Sequence, residues 1–136
     1  MAGWQAYIKN LLDSAGCIKK GAIVGVPDGS LWARSDGPSD TFNLDAKECL
    51  RFATMWDSVN DIPMQGFHAE GMKYIVPSVD DNFVFGKNTQ ERDLGVMAVK
   101  TNKACIIAQY RGEAHDGIQC RKALEHIADY LRQTGY

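Results

Sequence analysis

The sequence is short of the features that mark most dedicated activities. Its 15 Lys and Arg are outnumbered by 17 Asp and Glu, leaving a formal net charge of −2, so the basic excess of a dedicated nucleic-acid binder is missing. No apolar run approaches the ~20 residues that a membrane-spanning helix takes. The N-terminal stretch has neither the basic start nor the apolar block of a signal peptide, which predicts a cytoplasmic protein. Its four cysteines, Cys17, Cys49, Cys105 and Cys120, are widely spaced and form no Cys-x-x-Cys pair. That spacing predicts reduced thiols packed as small hydrophobes rather than disulfides or zinc ligands. His68, His115 and His126 are equally dispersed, and no metal-ligand spacing emerges. There is no Gly-x-x-x-x-Gly-Lys-Ser/Thr phosphate loop, Gly-x-Gly-x-x-Gly, His-Glu-x-x-His or Gly-x-Ser-x-Gly. An enzyme reading is therefore left without a nucleophile, a base or a cofactor. Asp80-Asp81 could form a carboxylate pair or half of a metal site, but a hairpin turn accounts for them, since Asp and Asn tolerate turn geometry.

What is present is an ordinary globular balance, 45% hydrophobic and 24% charged over 136 residues. That length suits one domain, residues 1–136, burying roughly two-thirds of the surface of the unfolded chain. The pattern at the end of the chain is the strongest. Cys120, Leu124, Ile127 and Leu131 recur at helical spacing from Asp116 onward, with Asp116 and Gln119 placed as a capping pair and Gly135 as a stop. Residues 4–13 predict a shorter helix with Ile8, Leu11 and Leu12 on its apolar edge and Gly16 beyond its end. Ile18 to Val26 has β character; the turn Pro27-Asp28-Gly29-Ser30 then returns the chain as Leu31 to Arg34, a hairpin. Gly37-Pro38-Ser39-Asp40 is loop. Asp45 and Glu48 form a second capping pair, opening a helix in which Leu50, Ala53, Met55 and Trp56 supply apolar surface up to about Val59. Four short apolar segments follow, Tyr74–Val79, Phe83–Phe85, Leu94–Val99 and Ala104–Tyr110. The links between them are too short for crossover helices, so they predict an antiparallel meander. The fold class is α/β of the α+β type, with a central sheet of about six strands.

The aromatics are what the core pattern does not absorb. Trp4 and Tyr7 lie one turn apart near the start, Trp32 sits beside the hairpin turn, Tyr130 falls off the apolar stripe of its helix, and Tyr136 stands at the end. If both terminal helices pack on one face of the sheet, Trp4, Tyr7, Tyr130 and Tyr136 become neighbours. Gathered aromatics with hydrogen-bonding heads grip polyproline II segments: proline rings stack on flat faces, and the N–H and O–H groups donate to free carbonyls.

The opening Gly3-Trp4-Gln5-Ala6-Tyr7, the segment Gly71-Met72-Lys73-Tyr74-Ile75, the run Gly95 to Lys103 and the ending Ala128 to Tyr136 together resemble profilin, over essentially the whole chain. The resemblance implies an antiparallel sheet with the N- and C-terminal helices on one face and shorter helices on the other. It also implies a protein that binds monomeric actin and, on a separate face, proline-rich segments of actin-assembly factors, regulating polymerisation and nucleotide exchange on actin in the cytoplasm and cytoskeleton. Carried over by position, the polyproline site is Trp4, Tyr7, Trp32, Tyr130, Leu131 and Tyr136. The actin face is Lys73, Ile75, Lys87, Arg121 and Glu125, where basic side chains suit an acidic partner. Ser78 and Asn88 depart from the basic residues found there in relatives. The family also binds phosphoinositides, for which Lys19-Lys20, Arg121-Lys122 and Arg132 are the candidates. The alternative is a small-molecule-sensing module of the same sheet-and-helix layout, which requires an apolar pocket between helix and sheet.

Overall fold

The computed structural model describes residues 2–26, 28–37 and 40–136. Pro27 of the expected hairpin turn, and Pro38 and Ser39 of the expected loop, lie outside them. The chain runs α1 (Ala2–Ser14), β1 (Ile18–Gly25), β2 (Leu31–Arg34), α2 (Ala46–Thr54), a 3-10 helix (Met55–Asp61) and α3 (Ile62–Gln65). It continues through β3 (Phe67–Ala69), β4 (Met72–Asp80), β5 (Phe83–Asn88), β6 (Leu94–Lys100), β7 (Ala104–Arg111) and α4 (Ala114–Gln133). The strands form a seven-stranded sheet in the order β2-β1-β7-β6-β5-β4-β3, and every pairing is antiparallel. The seventh strand, beyond the expected six or so, is β3; three residues are too few for alternation to signal a strand.

Both faces of the sheet are apolar. Along β6 and β7, Val96, Ala98, Cys105 and Ile107 pack toward α2 and the 3-10 helix. Met97, Val99, Ile106 and Ala108 pack toward α1 and α4. This two-sided burial is why β6 and β7 read as continuous apolar runs rather than as alternation. Helix α1 contributes Ile8 and Leu11, and α4 contributes Cys120, Leu124, Ile127 and Leu131, to the same core. The two terminal helices therefore share one face, with the shorter helices on the other.

Local details differ where backbone chemistry outweighs periodicity. Helix α4 starts at Ala114 rather than Asp116; its cap is Glu113, whose N–H donates to Asp116 Oδ2 at 2.9 Å. Asp116 thus works from the third helical position, as the return arm of a capping box. The Asp45–Glu48 box forms as expected. Its helix is α only to Thr54; a 3-10 segment broken at Ser58 follows, and Leu50 is left exposed while Cys49 and Phe52 face the core. Trp56 is a packing residue, with its indole N–H on the Phe52 carbonyl. Asp80 accepts from the Asn82 N–H in the β4–β5 turn, as expected of that pair.

The sheet is curled so strongly that the β3–β4 turn at one edge reaches back to strands near the other. At its tip Glu70, at φ 54°, occupies the left-handed region that non-glycine residues rarely adopt. Its carboxylate accepts from Lys20 Nζ on β1 (2.9 Å to each oxygen), Gln109 Nε2 on β7 (3.1 Å) and the Asn43 N–H (2.9 Å). Glu48 of α2 accepts from the main-chain N–H groups of Glu70 and Gly71, holding the turn from the other side. A part-buried carboxylate with this many donors stabilises the curl, and its removal strands Lys20. Glu70→Ala is expected to cost roughly 2–3 kcal/mol, read as a lower urea midpoint. Glu70→Gly, which relieves the backbone strain, should be milder by up to about 1 kcal/mol. An unchanged midpoint in the alanine variant would show that the latch contributes nothing.

All four cysteines are free thiols. Burial raises the thiol pKa of Cys105 and Cys120 far above the ordinary range, and burial together with the Asp116 carboxylate raises that of the half-exposed Cys17. Thiols held protonated and out of solvent are unreactive. Titration of the native protein with a disulfide reagent at neutral pH should therefore modify Cys17 alone, and slowly, with Cys49, Cys105 and Cys120 reacting only after unfolding.

Candidate functional site

Packing α1 beside α4 carries five aromatic rings to one edge of the molecule. Trp4 is the hub: its ring centroid lies 5.6 Å from Tyr7, 4.7 Å from Trp32 and 5.0 Å from Tyr136, the last at 89°. Tyr7 continues the row to Tyr130 at 6.0 Å, and Trp32 meets Tyr136 at 6.4 Å. These are tilted and edge-to-face geometries, the favourable arrangements for aromatic quadrupoles. The rings are not core: Tyr130 is 50% exposed and Tyr136 39%, while Trp4, Tyr7 and Trp32 are half-buried. Burial first, and then the neighbouring phenols Tyr130 and Tyr136, push the Tyr7 hydroxyl above the usual tyrosine range, so it remains a donor through neutral pH.

Local chemistry holds each ring in place. Trp32 lies on the edge strand β2, where its indole N–H donates to Ser30 Oγ at 3.1 Å. A side chain on Gly25 would come within 2.7 Å of that indole nitrogen, so the absence of a Cβ there makes the ring's seat. Gln5 Nε2 donates to the Arg34 carbonyl at 2.8 Å and pins α1 to β2. Gly135, at φ 95°, turns the chain after α4 and brings Tyr136 back over the helix, its N–H on the Leu131 carbonyl at 2.8 Å. Leu131, expected among the site residues, is itself 1% exposed and lies beneath the platform.

A second surface lies under the N-terminal half of α4, a groove of about 630 Å³. Phe83, Phe85, Met97 and Tyr110 form its apolar floor, with Lys87, Arg92 and Arg121 among its lining residues. Tyr110 fits because Gly117 of α4 has no side chain; a Cβ there would stand 3.1 Å from its hydroxyl. Burial raises the pKa of that hydroxyl to about 12, so it stays protonated. Arg121 spans the groove, its guanidinium 3.9 Å above the Phe83 ring, with ion pairs to Asp80 (3.3 Å) and Glu125 (3.1 Å). Ile75, 53% exposed, faces Lys87 across the β4–β5 pair.

Of the residues singled out for this face, Lys87 and Arg121 line the groove, with Ile75 beside Lys87 on the paired strand and Glu125 bonded to Arg121. Lys73 does not: its ammonium bonds the Gln65 carbonyl, and it lines a separate cleft beside α2 and α3. Ser78 lines the groove. Asn88 is buried and organises the following loop, its Oδ1 accepting from the Gln90 and Glu91 N–H groups. Sequence reasoning missed Ile118, 56% exposed at the groove mouth. The signal that found Tyr130, an apolar residue off the buried stripe of its helix, would have found it too. Among the described residues, no group of three or more His, Cys, Asp or Glu is placed to hold a metal ion, and no helix is long and apolar enough to cross a membrane.

Two open surfaces on one small sheet-and-helix scaffold, one of rings and one of apolar floor with a charged rim that carries Asp93 and Glu113 as well as Lys87, Arg92 and Arg121, define a binding module. The comparisons with known proteins give it a family. Residues 2–136 match the family model described as profilin. The chain is 41% identical over 136 residues to profilin-2 of Caenorhabditis elegans, covering 100% of both chains. Its structure aligns with Acanthamoeba castellanii profilin IB at a TM-score of 0.82 and 30% identity, covering 98% of this chain and 99% of that one. Mouse profilin IIa, in complex with a double repeat from the FH1 domain of mDia1, shares the fold at a TM-score of 0.76 and 23% identity, with coverage of 98% and 99%. The chain belongs to the profilin family.

Proposed function

We propose that this chain is a binding protein without chemistry of its own, which joins proline-rich segments to monomeric actin in the cytoplasm and so regulates actin polymerisation and nucleotide exchange on actin. The observation that carries the reading is the continuous row of five rings drawn from both ends of the chain, open to solvent and rich in hydroxyl donors. A polyproline II helix repeats every three residues with about 3.1 Å rise, presenting ring faces and unpaired carbonyls along its length. Trp4, Tyr7, Trp32, Tyr130 and Tyr136 supply faces and donors, Leu131 supports them from below, and a ligand already extended loses little entropy on binding. The indole N–H of Trp32 is engaged by Ser30, so this residue contributes its face. Family membership supports the assignment, and one relative, mouse profilin IIa, has been solved with an FH1 double repeat.

The groove under α4 is the actin face on this reading. Its apolar floor would bury side chains of the partner, while Lys87, Arg92 and Arg121 orient an acidic surface. Ile75 and Glu125 flank it, and Lys73 stands apart in the cleft beside α2 and α3. Phosphoinositide binding is a weaker part of the reading, because Lys20, Arg121 and Arg132 are engaged in ion pairs with Glu70, Asp80, Glu125 and Asp129. A small-molecule sensor would have to use this same groove, since Ile8, Leu11, Ile106 and Leu124 fill the space between the sheet and the rest of the terminal helices.

Trp4→Ala and Tyr136→Ala should each weaken decaproline binding by about ten-fold, followed by tryptophan fluorescence, with actin binding little changed and both variants still unfolding cooperatively in urea. Unchanged affinity in both variants sinks the platform assignment. Arg121→Ala should weaken actin-monomer binding by roughly three- to ten-fold while leaving decaproline binding alone; equal actin affinity would remove the groove from the reading.

A further inference from the structure

The β6–β7 turn, which contributes no ring to the platform, clasps the residue that closes it. The main-chain oxygen of Tyr136 accepts two hydrogen bonds from this turn, one from the Lys103 N–H at 2.6 Å and one from Thr101 Oγ1 at 2.8 Å. Thr101 is 2% exposed. Its hydroxyl also accepts from the Ala104 N–H at 3.1 Å, and a threonine has one O–H to give. Two oxygens face that single proton, the Ala104 carbonyl at 3.2 Å and Tyr136 at 2.8 Å, and the shorter bond is the one to Tyr136. The turn is braced on two further sides: Arg132 Nη2 donates to the Lys100 carbonyl at 2.7 Å, and the Val26 N–H donates to the Lys103 carbonyl at 3.0 Å. Lys103 Nζ stands 5.7 Å from the centroid of the Tyr136 ring, within reach of a cation–π attraction.

Tyr136 follows a glycine at positive φ and is 39% exposed. Two tethers hold its backbone, the Leu131 carbonyl on its N–H and the clasp on its oxygen. Without the clasp, Tyr136 would be held by its N–H alone, and rotation about that single tether would carry the edge of its ring away from Trp4 and Trp32. We infer that Thr101 is a positioning residue of the aromatic platform, buried away from any ligand and acting through Tyr136 to pre-organise the site for proline-rich segments. The inference rests on the polyproline reading above. Holding a ring in its bound position before the ligand arrives removes the ordering cost from binding, so the clasp should set affinity rather than fold.

The test is decaproline titration of the full chain, the Thr101→Val and Thr101→Ser variants, Tyr136→Ala, and the double variant Thr101→Val with Tyr136→Ala. Valine keeps the branched shape and removes the hydroxyl; serine restores it. Thr101→Val should bind about five-fold more weakly, the usual worth of one hydrogen bond, and Thr101→Ser should recover most of that loss. In the Tyr136→Ala background the valine substitution should have no further effect. Actin-monomer binding by Thr101→Val should match the parent, which separates loss of the clasp from general loosening. Should valine prevent folding, Thr101→Ala is read in the same way. Undiminished affinity in the valine variant, or an equal loss in the presence and absence of the Tyr136 ring, would overturn the inference. Failure of the parent chain to bind decaproline would instead overturn the polyproline reading itself.

Discussion

A sheet apolar on both faces must be covered on both, and in this molecule the cover on one face comes entirely from the two ends of the chain. Ile8 and Leu11 of α1, with Leu124, Ile127 and Leu131 of α4, are buried together against Ile106 and Ala108 of β7. Burying side chains of this size stabilises by roughly 1.5–3 kcal/mol each. The demand places α1 and α4 side by side, and side-by-side helices are what bring Trp4 and Tyr7 against Tyr130 and Tyr136. The ring platform is a consequence of core burial rather than a separate construction.

The same helix serves both surfaces. Gly117, Ile118 and Arg121 line the groove, while Tyr130 and the chain beyond it form the platform. From Ile118 to Tyr130 is about 18 Å along the axis at 1.5 Å per residue. That separation lets a partner on one surface leave the other open, and the rigid helix fixes their relative orientation.

Polar struts occupy places where apolar packing cannot decide geometry. Glu70 ties the β3–β4 turn to β1 and β7, and Glu48 ties it to α2. Thr101 and the Lys103 N–H tie the end of the chain to the β6–β7 turn. Apolar contact is non-directional, so it sets that the layers meet. Charge-assisted and fully paired hydrogen bonds set where turns and tails come to rest.

The sequence alone determined the helices with strong stripes, the capping box at Asp45 and Glu48, the antiparallel meander, and the five aromatics left over from the core. Each is written in local spacing, and the leftover aromatics were legible because Tyr130 breaks the stripe of its helix. Tertiary structure alone decided the seventh strand, since Phe67–Ala69 is too short to show a period, and the helix start at Ala114, since Glu113 and Asp116 cap it together. It also decided that Lys73 turns away from the groove while Ile118 opens onto it. Glu70 reaching Lys20 and Thr101 reaching Tyr136 span 50 and 35 residues. No local pattern encodes such bonds, because their partners are chosen by how the sheet curls and where the layers close.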